Sequence, residues 1–155
     1  MGKPLRVGIV GAGAISGAYL STFERLRAVE LTAVADLDEA RAREVAEKHG
    51  VVALSVDALV TSPDVDLVLN LTIPAAHADV ALKAIAAGKA VYGEKPLAAT
   101  LSDAKRIVDA GRAAGVRVGC APDTVLGTGI QTARKAVDDG VIGRPISATA
   151  TMMTP

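Results

Sequence analysis

An α/β fold, built on a doubly wound parallel sheet, is what this sequence predicts, and three observations predict it. Short apolar runs alternate with helical patterns along the chain. Several of those runs are apolar without interruption, as strands covered on both faces are. The first run, residues 5–10, ends in a glycine turn, Gly11-Ala12-Gly13, that opens a helix. Strands alternating with helices imply a parallel sheet with right-handed crossovers. Ligands of such sheets sit at the carboxyl ends of the strands.

The glycine turn carries its own chemistry. Gly11 permits a sharp turn with φ values that a side chain forbids. Gly13 has no Cβ, so backbone there can approach a pyrophosphate closely. The helix that follows points its unpaired N–H groups, at Ala14 and Ile15, and its positive dipole end at that anion. The third glycine, Gly17, comes one position later than in G-x-G-x-x-G, while Ala14 and Ser16 are small enough for close helix–strand packing. Ile15, Ala18, Tyr19, Thr22, Phe23 and Leu26 fall on one face at helical spacing. A second apolar run, residues 31–35, ends in Asp36. That acid stands about 25 residues after Gly11, close to the ~20 expected for the acid that holds an adenosine ribose. Asp36 also reads as the N-cap of the next helix, a role Asp38 fills equally well. Together these features predict a dinucleotide-binding domain of the Rossmann type.

The remaining elements follow in order. Residues 38–50 read as a charged, exposed helix with Ala42, Val45 and Ala46 on its apolar side. Residues 51–54 form a short strand and 57–60 one helical turn, ended by Ser62-Pro63. A fourth strand, 65–71, leads through Thr72-Ile73-Pro74 into a helix over 75–87. A fifth strand, 89–92, precedes the turn Gly93-Glu94-Lys95-Pro96-Leu97. Thr100 caps the next helix, with Asp103 three residues on as an acidic capping box. A sixth strand covers 116–120 and a last helix 127–139. Residues 146–152 alternate and read as one further strand.

Composition narrows the function. The formal net charge is zero, from 17 basic and 17 acidic residues, and aromatics make up 2%. No basic stripe appears, so a nucleic-acid surface is not expected. No apolar run approaches the ~20 residues of a membrane span. The amino terminus reads as the first strand and not as a signal peptide. Cys120 is the one cysteine, which fits a reducing compartment and a soluble, cytoplasmic protein. Asp64 and Asp66 flank a strand start without His or Cys beside them, so no metal site is expected.

Three stretches carry a resemblance: the Gly11-Ala12-Gly13 turn, the run from Thr72 to His77, and Ala87-Gly88-Lys89-x-Val91-x-x-Glu94-Lys95-Pro96-Leu97. On these the chain resembles the amino-terminal half of a Gfo/Idh/MocA oxidoreductase, the group of glucose–fructose oxidoreductase and inositol dehydrogenase. The resemblance implies an NAD(P)-binding Rossmann domain over residues 1–145, with residues 146–155 as the first strand of a truncated second domain. In the family that second domain supplies most of the substrate pocket and the subunit contacts, which implies a homo-oligomer for the full-length protein. Lys95 corresponds to the lysine at the nicotinamide and substrate site. Glu94 and Pro96 shape its turn, with a Lys–Pro bond that is often cis. Thr72, Pro74 and His77 correspond to residues along the cofactor. Two departures stand out. Ile73 intervenes between Thr72 and Pro74, and Ala121-Pro122-Asp123-Thr124 stands where many members carry Asn and Arg. The family's catalytic histidine lies in the second domain, and neither His49 nor His77 matches it.

The expected activity is therefore NAD(H)-dependent hydride transfer on a sugar, polyol or related keto compound, with NAD preferred over NADP because Asp36 repels a 2′-phosphate. Lys95 is the candidate catalytic residue, a cation placed to polarise a carbonyl or act as an acid. The plain alternatives are a solvated turn lysine at Lys95, a helix cap at His77, a turn residue at Asp123 and a small core hydrophobe at Cys120. The rival function is a module that holds or senses NAD(H) without turnover, because fold alone does not separate the two.

Overall fold

The structure, a computed structural model, describes residues 2–122, 124–151 and 153. Six strands, β1 (Leu5–Val10), β2 (Val29–Ala35), β3 (Val52–Ala53), β4 (Leu67–Asn70), β5 (Ala90–Gly93) and β6 (Val118–Cys120), form one parallel sheet in the order β3-β2-β1-β4-β5-β6. Helices α1 (Ser16–Phe23), α2 (Glu39–His49), α3 (Val56–Thr61), α4 (His77–Ala86) and α5 (Leu101–Ala114) connect them. The order runs outward from β1 in one direction, then restarts at β4 in the other. The crevice of a doubly wound sheet opens at that reversal, between β1 and β4.

Side chains alternate across the sheet, so each strand feeds two cores. Val7 and Ile9 of β1, Val34 of β2 and Leu69 of β4 join Leu20 of α1 on one face. Val10, Ala33, Ala35 and Val68 join Leu59 of α3, Val80 and Ile85 of α4 and Ile107 of α5 on the other. α1 keeps part of its expected face, since Tyr19 and Phe23 pack against the first of these cores, and departs from it elsewhere. Leu20 and Ser16 are its buried residues, while Ile15 and Leu26 are 44% and 49% exposed. The helix has only two turns, and the tight approach falls at Ser16, whose hydroxyl donates to Gly13 O at 2.7 Å. A Cβ at Gly17 would meet nothing within 4 Å, so that glycine is no packing device. The helix caps behave as expected: Asp38 accepts from the N–H groups of Ala40 and Arg41, and Thr100 from that of Asp103.

At the amino ends of the strands, Arg6 fastens β1 to the start of β4. Its Nε and Nη2 donate to the Asp66 carboxylate at 3.0 and 2.8 Å, and its backbone N–H adds a bond of 3.0 Å. These donors hold the Asp66 carboxyl down to about 2. A lowered carboxylate stabilises the fold above its ordinary range, and that stability is lost as pH falls toward the native value. Unfolding by urea should therefore become easier between about pH 4 and pH 2, and Asp66→Asn should flatten that dependence. Equal slopes for the two proteins would count against the ion pair. The carboxylate is partly exposed, so the effect is screened.

The chain divides into two compact units, residues 1–121 and 122–155. The second unit contains α6 (Thr128–Asp138), which buries none of its residues. The strand expected over 146–152 does not form in its described part, residues 146–151. Alternation alone makes no strand without a neighbour to supply the ladder. Asp123 lies outside the described residues. Among these, no helix is long and apolar enough to cross a membrane.

Candidate functional site

Most of the candidate residues follow strand ends on the carboxyl side of the sheet. Gly11 ends β1 with φ +105°, and its N–H donates to Ala35 O at 2.8 Å. A Cβ there would stand 2.6 Å from the carbonyl carbon of Leu71 and 2.8 Å from Thr72 N. Gly11 is thus required by the close passage of β1 against the end of β4. Gly13 is different: nothing lies within 4 Å of where its Cβ would be. The protein gives no packing reason for a glycine there, and the space beside it is open. Among the described residues the N–H groups of Gly13, Ala14 and Ile15 have no acceptor. Free donors at the start of a helix, beside open space, suit a pyrophosphate.

Asp36 follows β2 and is half-buried. One oxygen accepts from Ala12 N–H at 2.7 Å and the other from Asp38 N–H at 2.8 Å. Arg41 Nη1 approaches at 3.7 Å. The helix cap is Asp38, which leaves Asp36 aimed at the glycine turn. A carboxylate offers about four acceptor sites, so two remain for ribose hydroxyls.

At the ends of β4 and β5 the sequence-predicted residues form one network. Thr72 Oγ1 donates to Asn70 Oδ1 at 2.7 Å, and Asn70 Nδ2 donates to His77 O at 3.0 Å. The His77 ring is buried between Thr72 O and Pro96 O. Its polar atoms are thus taken by backbone. Pro74 is exposed and opens a single 3-10 turn ahead of α4. The Lys95–Pro96 bond is cis. Glu94 accepts from Tyr19 Oη at 2.7 Å and from Lys95 N–H at 3.1 Å, which ties the turn back to α1. Lys95 is exposed, and its Nζ has no partner among the described residues. Sequence reasoning did not single out Asn70 or Tyr19. Asn70 had a signal, a buried amide closing an otherwise apolar strand. The Tyr19–Glu94 contact spans distant elements and had none.

Cys120, half-buried at the end of β6, takes no part. Burial and then the Glu94 charge push its thiol up, and its Sγ lies 3.0 Å from Ala121 O. An apolar groove of about 300 Å³ between α5 and β6 shares no residue with the predicted site.

Comparison with known proteins decides the family. Residues 5–121 match the group described as "Oxidoreductase family, NAD-binding Rossmann fold". The chain belongs to the Gfo/Idh/MocA oxidoreductases. Inositol 2-dehydrogenase 3 of Saccharopolyspora erythraea is 37% identical over 97% of this chain and 46% of its own length. Biliverdin reductase of Synechocystis, solved with biliverdin and NADP+, is 33% identical with a TM-score of 0.77, over 88% of this chain and 43% of that one. The WlbA dehydrogenase of Bordetella pertussis, solved with NADH and UDP-GlcNAcA, is 26% identical with a TM-score of 0.86, over 92% and 42%. The chain spans less than half the length of the curated relatives it matches. In Gfo/Idh/MocA terms it contains the NAD(P)-binding Rossmann domain.

Proposed function

We propose that this chain is the cofactor-holding part of an NAD(H)-dependent oxidoreductase that acts on a sugar, a polyol or a related keto compound. The observation that carries the reading is the open space at Gly13, beside three N–H groups with no acceptor among the described residues and next to the Asp36 carboxylate that holds Ala12 N–H. The N–H groups of Gly13, Ala14 and Ile15 would bind the pyrophosphate, Asp36 the adenosine ribose, and the Thr72 loop and the Glu94-Lys95-Pro96 turn would border the nicotinamide. Nicotinamide, when bound, supplies hydride transfer. The protein's part is orientation and charge placement. Lys95 is the group free to carry a proton or positive charge to a substrate oxygen. The single cysteine accords with a reducing, cytoplasmic location.

Titration of the chain with NADH, followed by nicotinamide fluorescence, tests this directly. Saturable binding is expected, and its absence would overturn the reading. Asp36 sets the choice of cofactor: NADH should bind about tenfold or more tightly than NADPH, since a carboxylate repels a 2′-phosphate. Asp36→Asn should narrow that ratio, and equal dissociation constants in the wild type would exclude the role. A non-catalytic NAD(H) holder remains the second reading, favoured by His77 being buried and bound to backbone. A screen of sugars and polyols for NADH absorbance change, in a protein extended through the length of its relatives, separates the two.

A further inference from the structure

The hydrogen bonds of the sheet stop just short of Lys95. At the end of β5, Glu94 N–H still donates to Asn70 O at 2.9 Å, and Gly93 O accepts from Ala121 N–H at 2.9 Å. The next donor along the chain, Lys95 N–H, has a side chain for its acceptor: Glu94 Oε2, at 3.1 Å. The other oxygen of that carboxylate, Oε1, accepts from Tyr19 Oη at 2.7 Å. Tyr19 belongs to α1, 75 residues away in sequence.

A glutamate has several torsions to freeze, so left to itself it keeps no single geometry beside a turn. A short bond from a hydroxyl to a carboxylate is among the stronger hydrogen bonds and holds it in one. Tyr19 is itself placed, half-buried against the core that Leu20 fills. The backbone at Lys95 therefore takes its position from α1 as well as from β5. α1 starts beside the N–H groups of Gly13, Ala14 and Ile15, which have no acceptor among the described residues. Tyr19 stands about one turn beyond Ile15. At the far end of the chain of bonds, Lys95 is exposed.

We propose that Tyr19 and Glu94 are positioning residues, through which the placement of α1 is passed to the backbone of Lys95. The assignment of a diphosphate to one end and of nicotinamide to the other rests on the NAD(H) reading above; the relay from Tyr19 to Lys95 does not. Loss of the relay should leave the adenosine and diphosphate held and weaken the grip at the nicotinamide end alone. A tyrosine that merely braced α1 would weaken both ends together.

Solvent exchange of the Lys95 amide proton, in the labelled chain without ligand, reads the relay directly. Tyr19→Phe should speed that exchange about fivefold, the worth of one net hydrogen bond, and leave the amides of β1 and β4 unchanged. Glu94→Met removes both acceptor oxygens and should speed it at least as much. In that background Tyr19→Phe should add nothing, because the two residues act through one path. An unchanged Lys95 rate in Tyr19→Phe overturns the proposal, and so does a loss of protection spread over β1 and β4. The second measurement compares NADH with ADP-ribose, which has the adenosine, the diphosphate and a ribose but no nicotinamide. Tyr19→Phe should raise the NADH dissociation constant about fivefold and leave that of ADP-ribose as in the wild type. Equal weakening of the two ligands overturns the positioning role. A wild-type chain that binds neither ligand overturns the NAD(H) reading, while the exchange rates still judge the relay.

Discussion

Gly11→Ala should destabilise the domain by about 3 kcal/mol or more, among the largest effects of a single methyl group. Two penalties add. The residue sits at φ +105°, where an L side chain is strained. Its new Cβ would also stand 2.6 and 2.7 Å from the carbonyl carbon and oxygen of Leu71. Those atoms are backbone at the end of a central strand, whose neighbour Leu71 N donates to Val10 O at 2.8 Å. They cannot swing aside as a flexible side chain would. Urea unfolding checks the expectation, and a wild-type midpoint would refute it.

Gly13→Val should do the reverse. Nothing lies within 4 Å of the new Cβ, so stability should stay within about 1 kcal/mol of the wild type. NADH affinity should fall about 100-fold or more, because the side chain fills the space proposed for the pyrophosphate. A mutant that is stable and still binds NADH like the wild type would show that the glycine turn holds no anion. On these expectations, two glycines of one short motif would separate into one that the fold requires and one that the proposed cofactor requires.

How much of this was legible follows from how local each signal is. Strand, turn and cap signals are local, and the sequence shows them: the β1 run, the Asp38 and Thr100 caps, the glycine turn and the acid after β2. The strand order needs pairings between distant segments, and only the alternation of elements hints at it. The inward face of α1 was right at Tyr19 and Phe23 and wrong at Ile15 and Leu26, because two turns of helix give periodicity little to work with and Ser16 approaches closely through its bond to Gly13 O. At His77 the sequence shows a histidine near the start of a helix. The two carbonyls beside its ring lie five residues before it and nineteen after it, brought together only by adjacent strand ends. Residues 146–151 show the opposite failure, since a local alternation is present and no partner strand is among the described residues.

The bond from Ala12 N–H to the Asp36 carboxylate restricts how this domain can change over evolutionary time. The side chain that would discriminate between the two cofactors also anchors the loop that would grip their shared diphosphate. A drift of specificity by loss of the acid alone strips the loop of its anchor. Viable routes then pass through residues such as serine or asparagine, which keep an acceptor for Ala12 while giving up the charge. Arg41, already 3.7 Å from that carboxylate, stands ready to meet a phosphate once the charge is gone. On the proposed reading, cofactor preference in this chain would depend on positions 36 and 41 together, with the backbone N–H of Ala12 limiting what position 36 can become.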